Sequence, residues 1–207
     1  MFKLFYFPAS CSLASHIALE EAGAEFEAIK VDFYTNEQRK AEYMTINPKG
    51  RVPALVTDEG ILTENPAILS YIAMRFPEAK LAPLDDPFKL AKLQSFNAYL
   101  SSTVQVAHAH GLRGPRWADQ QSSYDDMRQR VSGNMAECFQ LIEDELLQGP
   151  WVMGETFSIA DAYLFTFTSW LEGDGVDASQ FDKVSQHMAA MLQRPCVQRA
   201  MAREQKQ

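Results

Sequence analysis

The chain has 207 residues, of which 46% are hydrophobic and 22% are charged, and its formal net charge at pH 7 is −8. This length can bury a real core in one domain or two small ones, and the negative charge argues against nucleic acid or an anionic membrane surface as the main partner. No stretch approaches the roughly 20 apolar residues that a membrane-spanning helix needs, and we expect no signal peptide.

The cysteine pattern indicates a reducing compartment. Cys11, Cys138 and Cys196 are far apart, and no CxxC pair is present. A disulfide framework or a zinc site is therefore not expected, and the sequence predicts a cytoplasmic protein without a bound metal.

The N-terminus predicts a strand followed by a helix, with a cysteine between them. Residues 2–7 are mostly aromatic and apolar and end at Pro8, and residues 12–22 have a helical composition that ends at Gly23. Cys11 lies at the start of this helix, where exposed N–H groups favour the thiolate over the thiol. The same residues are equally compatible with a buried, inert cysteine.

The next 55 or so residues complete a small mixed sheet in the prediction. Residues 26–31 alternate as a strand, residues 36–44 form a polar helix with Asn36 as its N-cap, and residues 53–57 and 61–63 form a hairpin. Asn65 and Pro66 start a helix that runs to residue 76. The resulting order, β-α-β-α-β-β-α, is that of a thioredoxin-like layer of sheet and helices.

Strand signals disappear in the second half of the chain. The proline-rich residues 77–87 read as a connection, and helices are predicted over 88–110, 119–147, 181–194 and 195–203. A further buried helix follows Ser158 and Asp161, which fit the capping-box signature. The fold class is therefore α+β, with domains at 1–77 and 88–207 and a linker at 78–87.

Four separated motifs carry a family resemblance that covers essentially the whole chain. They are residues 3–6 with 10–17, residues 47–50 with Val52-Pro53, residues 62–64 with 67–68, and residues 158–165. The chain resembles the cytosolic glutathione transferases, and most closely their bacterial beta class. The resemblance implies glutathione as a co-substrate, no permanently bound cofactor, a homodimer and a role in detoxification.

The resemblance also implies roles for individual residues. Cys11 is the catalytic residue, and Ser12 donates a hydrogen bond beside it. A cis Pro53 presents the backbone of Val52 to the glutathione backbone. The remaining implied glutathione contacts are Lys49 in the loop before that proline, Glu64 for the γ-glutamyl ammonium, and Asn65 at the helix start for the γ-glutamyl carboxylate.

Two family positions differ in this sequence. The family asparagine is Asn97, which would approach the glutathione of the other subunit, but the histidine expected seven residues later is Val104. Because residues 97, 101, 104 and 108 share one helix face, we hypothesise that His108 replaces it as a catalytic residue, although a capping or surface role is equally compatible. The contact to the glycyl carboxylate falls near Asn36, with Arg39 or Lys40 as alternatives.

Residues 108–117 contain two histidines, two arginines and a tryptophan but no acidic residue. We predict a cationic lip beside the second-substrate pocket, suited to a small anionic or aromatic electrophile. The pocket residues in this prediction are Val104, His108, Arg113, Arg116 and Trp117.

The predicted function is a glutathione transferase that conjugates glutathione to an electrophile, performs glutathione-dependent thiol–disulfide exchange through Cys11, or does both. Because Ala14 stands where a resolving cysteine would be, exchange would use a second glutathione. The alternative is a non-catalytic ligand-binding or scaffold protein on the same fold.

Overall fold

The computed structural model describes residues 1–205 and begins with a four-stranded mixed sheet. The elements of this part are β1 (Phe2–Tyr6), α1 (Ser12–Glu21), β2 (Phe26–Lys30), α2 (Ala41–Met44), β3 (Ala54–Val56), β4 (Ile61–Thr63) and α3 (Asn65–Arg75). The strand order is β2-β1-β3-β4, with β1 parallel to β2 and antiparallel to β3. The predicted thioredoxin-like layer is confirmed.

Helix α1 connects the two halves of the molecule. It packs against α3 and also against helices α7 (Ile159–Thr168) and α9 (Pro195–Gln205) of the second half. Residues 12–20 are all buried as a result. A helix enclosed on most sides has no solvent face, which explains why its sequence lacks an amphipathic stripe.

The second half is helical, as predicted. Besides α7 and α9 it contains α4 (Pro87–Tyr99), α5 (Gln105–Ala109), α6 (Gln121–Leu141) and α8 (Asp182–Gln193). Single π-helical turns follow α4 at Leu100–Val104 and α6 at Ile142–Leu146. Residues 76–86, which include a 3₁₀ turn at Pro77–Ala79, connect α3 to α4, and the domain limits at 77 and 88 stay a prediction.

The capping box at the start of α7 is confirmed, and its aspartate also binds groups outside that helix. One oxygen of Asp161 accepts hydrogen bonds from the backbone N–H and the hydroxyl of Ser158, at 2.7 and 3.0 Å. The other oxygen accepts from the N–H of Val152 at 2.7 Å and lies 3.1 Å from Nε2 of His187. Because Asp161 is fully buried, these partners replace the water that its carboxylate loses.

One predicted helix start is wrong. The segment at 36–44 divides into a 3₁₀ turn, Glu37–Arg39, and the short α2, and Asn36 adopts a left-handed conformation at φ 55° without a side-chain capping bond. The predicted start of α3 is confirmed, because Asn65 is its first residue and Pro66 its second.

No helix within residues 1–205 is long and apolar enough to cross a membrane. In the same residues, no three histidine, cysteine, aspartate or glutamate side chains gather as metal ligands would.

Candidate active site

A cavity of about 360 Å³ lies between the sheet-containing half and the helical half. The first half contributes residues 7–11, 50–53 and 64–66. The helical half contributes the side of α5 and the loop that follows it, together with residues near α7. The Cys11 loop and the predicted cationic lip therefore face the same space.

The loop that carries Cys11 is held by the helical half. Ala9 has a φ of 54°, an uncommon conformation for a residue with a Cβ. Its N–H donates to Oε2 of Glu204 on α9 at 2.9 Å, and its carbonyl accepts from Nε1 of Trp170 at 2.9 Å. Both backbone groups of Ala9 are thus fixed by distant side chains, which positions Cys11 two residues later.

The Cys11 thiol is neutral in this environment. It donates a hydrogen bond to the carbonyl oxygen of Val52 at 3.3 Å. Crowding by protein atoms raises the pKa of Cys11 from 9.0 to about 11, and the nearby charge of Arg113 offsets only part of that effect. The expectation that the start of α1 holds a thiolate is therefore wrong, since desolvation outweighs the helix dipole.

A cis peptide bond joins Val52 to Pro53, as the family resemblance implies. The preceding carbonyl, that of Arg51, accepts hydrogen bonds from the Tyr43 hydroxyl and from the Asn47 amide, both at 2.6 Å. Among residues 1–205 the N–H of Val52 has no hydrogen-bond partner. This fixed loop can offer a backbone donor to an extended peptide.

The start of α3 lies beside the same loop. Glu64 has φ 74° and ψ 122°, a sparsely populated conformation for a non-glycine residue. One oxygen of Glu64 pairs with the Lys49 ammonium at 2.6 Å. The Asn65 amide donates to the carbonyl of Cys11 at 2.6 Å, and its oxygen accepts from the Ser15 hydroxyl at 2.6 Å. Asn65 therefore ties α3 to the Cys11 loop.

On the helical side, His108 is held in one orientation. Its Nδ1 lies 2.7 Å from Oδ2 of Asp174, and its ring stacks on Trp170 with 4.2 Å between centroids. Asp174 thereby leaves Nε2 as the free ring nitrogen of a residue that lines the cavity. The π-helical turn before α5 brings Ser101, Gln105 and His108 to this wall.

Four arginines line the cavity: Arg39, Arg51, Arg113 and Arg116. In the part of the chain that the structure describes, none of their guanidinium groups has a hydrogen bond or an ion pair. Desolvation, followed by the charges of the other three, lowers the pKa of Arg116 from 12.5 to about 10. Arg116 stays charged at neutral pH, and repulsion from the other three arginines adds to the larger effect of desolvation.

Comparisons with known proteins agree with this architecture. Residues 1–74 match the glutathione S-transferase N-terminal domain, and residues 125–190 match the C-terminal domain of the same enzymes. The glutathione S-transferase GstA of Escherichia coli O157:H7 is 32% identical over 98% of both chains. This chain belongs to the glutathione S-transferase family.

Two solved structures of this family are close to the chain along its whole length. A glutathione transferase homologue from Sulfitobacter, solved with bound glutathione, is 46% identical, with a TM-score of 0.96 over 98% of both chains. The bacterial beta-class glutathione S-transferase of Sphingomonas chungbukensis is 37% identical, with a TM-score of 0.85 over 98% of both chains.

The structure brings most of the predicted transferase residues to one cavity. The predicted residues that line it are Cys11, Val52, Pro53, Glu64, Asn65, His108, Arg113 and Arg116. The other six lie elsewhere.

Three predicted glutathione contacts do not line the cavity. Ser12 is fully buried and exchanges hydrogen bonds with the backbone of Phe7, so its hydroxyl is turned from the Cys11 thiol. Asn36 is exposed in a left-handed turn, and the Lys49 ammonium pairs with Glu64.

Three predicted residues on the helical side do not line the cavity either. Asn97 is fully buried inside the chain. Val104 is also fully buried, because the π-helical turn directs it into the core. Trp117 packs edge-on against His110 and does not line the cavity.

The sequence interpretation did not identify Arg51, Tyr163, Trp170 and Asp174, and it named Arg39 only as an alternative. Arg51 directly precedes the Val52-Pro53 motif, and this proximity is the one local signal that could have identified Arg51 as a cavity residue. Asp174 is 66 residues from His108, so no local pattern connects the two.

Proposed function

We propose that this protein is a cysteine-type, beta-like glutathione transferase that conjugates glutathione to a small electrophile, with Cys11 as its catalytic residue. The observation that carries the proposal is the Cys11 thiol, 3.3 Å from the Val52 carbonyl, beside an unpartnered backbone N–H and the start of α3. A tripeptide that pairs with Val52 brings its own sulfur next to that thiol.

Each end of glutathione has a complementary group in this cavity. The γ-glutamyl carboxylate meets the backbone N–H of Asn65 at the start of α3, and its ammonium meets Glu64. The glycyl carboxylate pairs with Arg39, whose guanidinium lies beside Gly50. The Asn65 side chain holds the Cys11 backbone rather than the ligand.

The protonation state of Cys11 favours conjugation over thiol–disulfide exchange. With a pKa of about 11, Cys11 is a thiol at neutral pH. It can redirect its hydrogen bond from Val52 to the glutathione sulfur and stabilise the glutathione thiolate, as hydroxyl groups do in the serine and tyrosine classes. Disulfide exchange would instead require Cys11 itself to attack as a thiolate.

His108 is proposed as the group that moves protons at the second substrate. Asp174 holds Nδ1, which leaves Nε2 as the ring nitrogen available to the second substrate. Trp170 holds the plane of the ring and provides an aromatic wall for the electrophile. Arg113 and Arg116 favour an anionic or aromatic electrophile on the same side.

The proposal also includes a cytoplasmic homodimer. Cys11, Cys138 and Cys196 are all free, which suits a reducing compartment. Dimerisation is typical of the family, and sedimentation of the purified chain tests it directly.

Substitutions at Cys11 test the catalytic role. We expect Cys11→Ala to lower kcat/KM with 1-chloro-2,4-dinitrobenzene by about 10- to 100-fold, the range that a lost hydrogen bond to a charged group supports. Cys11→Ser keeps a donor and should retain more activity than Cys11→Ala. Cys138→Ser is the matched control at a cysteine remote from the cavity.

The outcomes separate three functions. Equal loss in Cys11→Ser and Cys11→Ala, together with a Cys11 mass adduct from oxidised glutathione, would instead support thiol–disulfide exchange. No retention on glutathione-agarose, no adduct and no turnover would instead support the non-catalytic alternative.

A further inference from the structure

The cavity contains more positive charge than glutathione can neutralise. Four arginines line it against one carboxylate, that of Glu64, which is already paired with Lys49. This concentration of positive charge stands out in a chain whose net charge is −8. All four arginines are exposed to solvent, so an anion that enters the cavity meets cations that no carboxylate already neutralises.

Glutathione accounts for only one of the four arginines. Its γ-glutamyl end is a zwitterion that meets Glu64 and the start of α3 in the proposed pose, so only the glycyl carboxylate needs a cation. Arg39 fits that carboxylate, because it lines the cavity with its guanidinium beside Gly50, in the loop that precedes Val52. Arg51, Arg113 and Arg116 remain without a counter-charge.

The three remaining arginines come from both halves of the chain. Arg113 and Arg116 belong to the loop after α5, and Arg51 precedes Val52 in the other half. They act on one another: the charges of Arg51 and Arg113 are the largest electrostatic contributions to the lowered pKa of Arg116. Their guanidinium groups form forked donors that suit carboxylate or phosphate oxygens.

We propose that Arg51, Arg113 and Arg116 form a binding site for a small electrophile that carries two negative charges, the second substrate of the proposed glutathione transferase. A second glutathione fits less well, because it would bring only one net negative charge. The cavity of about 360 Å³ is near the lower end of the range of about 300–1,000 Å³ for ligand pockets, so little room remains beside one tripeptide.

The chemistry that this site serves is addition to an activated double bond. The glutathione sulfur forms a bond to one olefinic carbon, and the electron pair of the double bond moves to the other carbon. That carbon takes up the proton that the glutathione thiol released, so no oxidant or other reactant is needed. The arginines neutralise the carboxylates, whose repulsion would otherwise oppose the approach of the glutathione thiolate.

Maleate and its ethyl esters provide a matched series for the test. Diethyl maleate, monoethyl maleate and maleate carry none, one and two negative charges on the same double bond. Each enzymatic rate is divided by the uncatalysed rate with glutathione at the same pH. We expect this ratio of enzymatic to uncatalysed rate to rise at least tenfold from the diester to maleate. Added sodium chloride should reduce the ratio most for maleate.

Substitutions of the arginines test whether these residues cause the preference for maleate over the diester. Arg113→Gln and Arg116→Gln should each lower the ratio of maleate to diester turnover at least fivefold. Arg130→Gln is the control. Arg130 is exposed on α6, so this substitution removes the same charge at a place away from the cavity. A diester preference, or a maleate preference that none of the cavity variants changes, would overturn the proposal.

A binding measurement separates this inference from the proposed function on which it rests. Turnover of the diester without turnover of maleate contradicts only the dianion site. If no electrophile is turned over, melting temperatures with succinate and with monomethyl succinate decide the matter. Arg116-dependent stabilisation by succinate alone supports the site, and equal effects of the two compounds contradict it. Inorganic phosphate in the same assay distinguishes a phosphate preference from a dicarboxylate preference.

Discussion

The reactivity of Cys11 toward an alkylating reagent is the most direct consequence of its surroundings. Protein atoms around the thiol raise the pKa of Cys11 from 9.0 to about 11. At neutral pH this reduces the thiolate fraction about 100-fold relative to an unperturbed cysteine. Because only the thiolate attacks iodoacetamide, alkylation of the folded chain should be slower by about that factor.

Mass spectrometry of the alkylated chain measures this rate at Cys11 from pH 6 to pH 12. The chain unfolded in guanidinium chloride is the reference, and Cys138 and Cys196 are followed in the same spectra. The Cys11 rate in the folded chain should reach half its maximum above pH 10. The same shift predicts that the free energy of unfolding loses a contribution as pH rises from about 9 to about 11, since the unfolded chain releases its proton first.

Arg113 provides a second perturbation with a defined sign. Its charge is the largest influence that lowers the pKa of Cys11, so Arg113→Gln should raise that pKa further and slow alkylation near neutral pH. Arg130→Gln should leave the rate unchanged. A folded chain that reacts at pH 7 as fast as the unfolded one, or a midpoint below pH 9, would show that Cys11 is a thiolate and refute this reasoning.

Three further substitutions test the groups that position the site. Asp174→Asn should lower kcat more than it raises KM for glutathione, because His108 loses the carboxylate that holds its ring; an unchanged kcat would contradict this role. Glu204→Ala leaves the N–H of Ala9 without its acceptor and should lower the free energy of unfolding by about 1–3 kcal/mol while raising KM for glutathione, measured by denaturation and steady-state kinetics. Asp161→Ala strands several buried donors and should cost about 3–5 kcal/mol in urea denaturation, whereas a loss below about 1 kcal/mol would indicate that water replaces the carboxylate.

The strongest sequence predictions rest on local signals. The start of α7 is encoded by Ser158 and Asp161 within four residues, and the structure forms that capping box. The position of Cys11 between β1 and α1 follows from a proline, a change in periodicity and Gly23. The cis bond before Pro53 was predictable only through the family resemblance, because most X–Pro bonds are trans.

Predictions failed where one extra residue or one neighbouring group changed the outcome. Helical periodicity placed Val104 and His108 on the same face, but the π-helical turn at Leu100–Val104 shifts the register and buries Val104. The start of a helix suggested a Cys11 thiolate, but the desolvation that prevails comes from residues packed around it. Periodicity reports neither a local register shift nor the density of the surroundings.

The sequence by itself determined the order of the elements, the family and the residue at the centre of the site. Only the tertiary structure decided what surrounds that residue. Asp174 meets His108 across 66 residues of chain, and Glu204 reaches Ala9 across 195. The physical reason is that local patterns set helices and strands, whereas the packing of the helical half against the first half sets the charges and partners around Cys11.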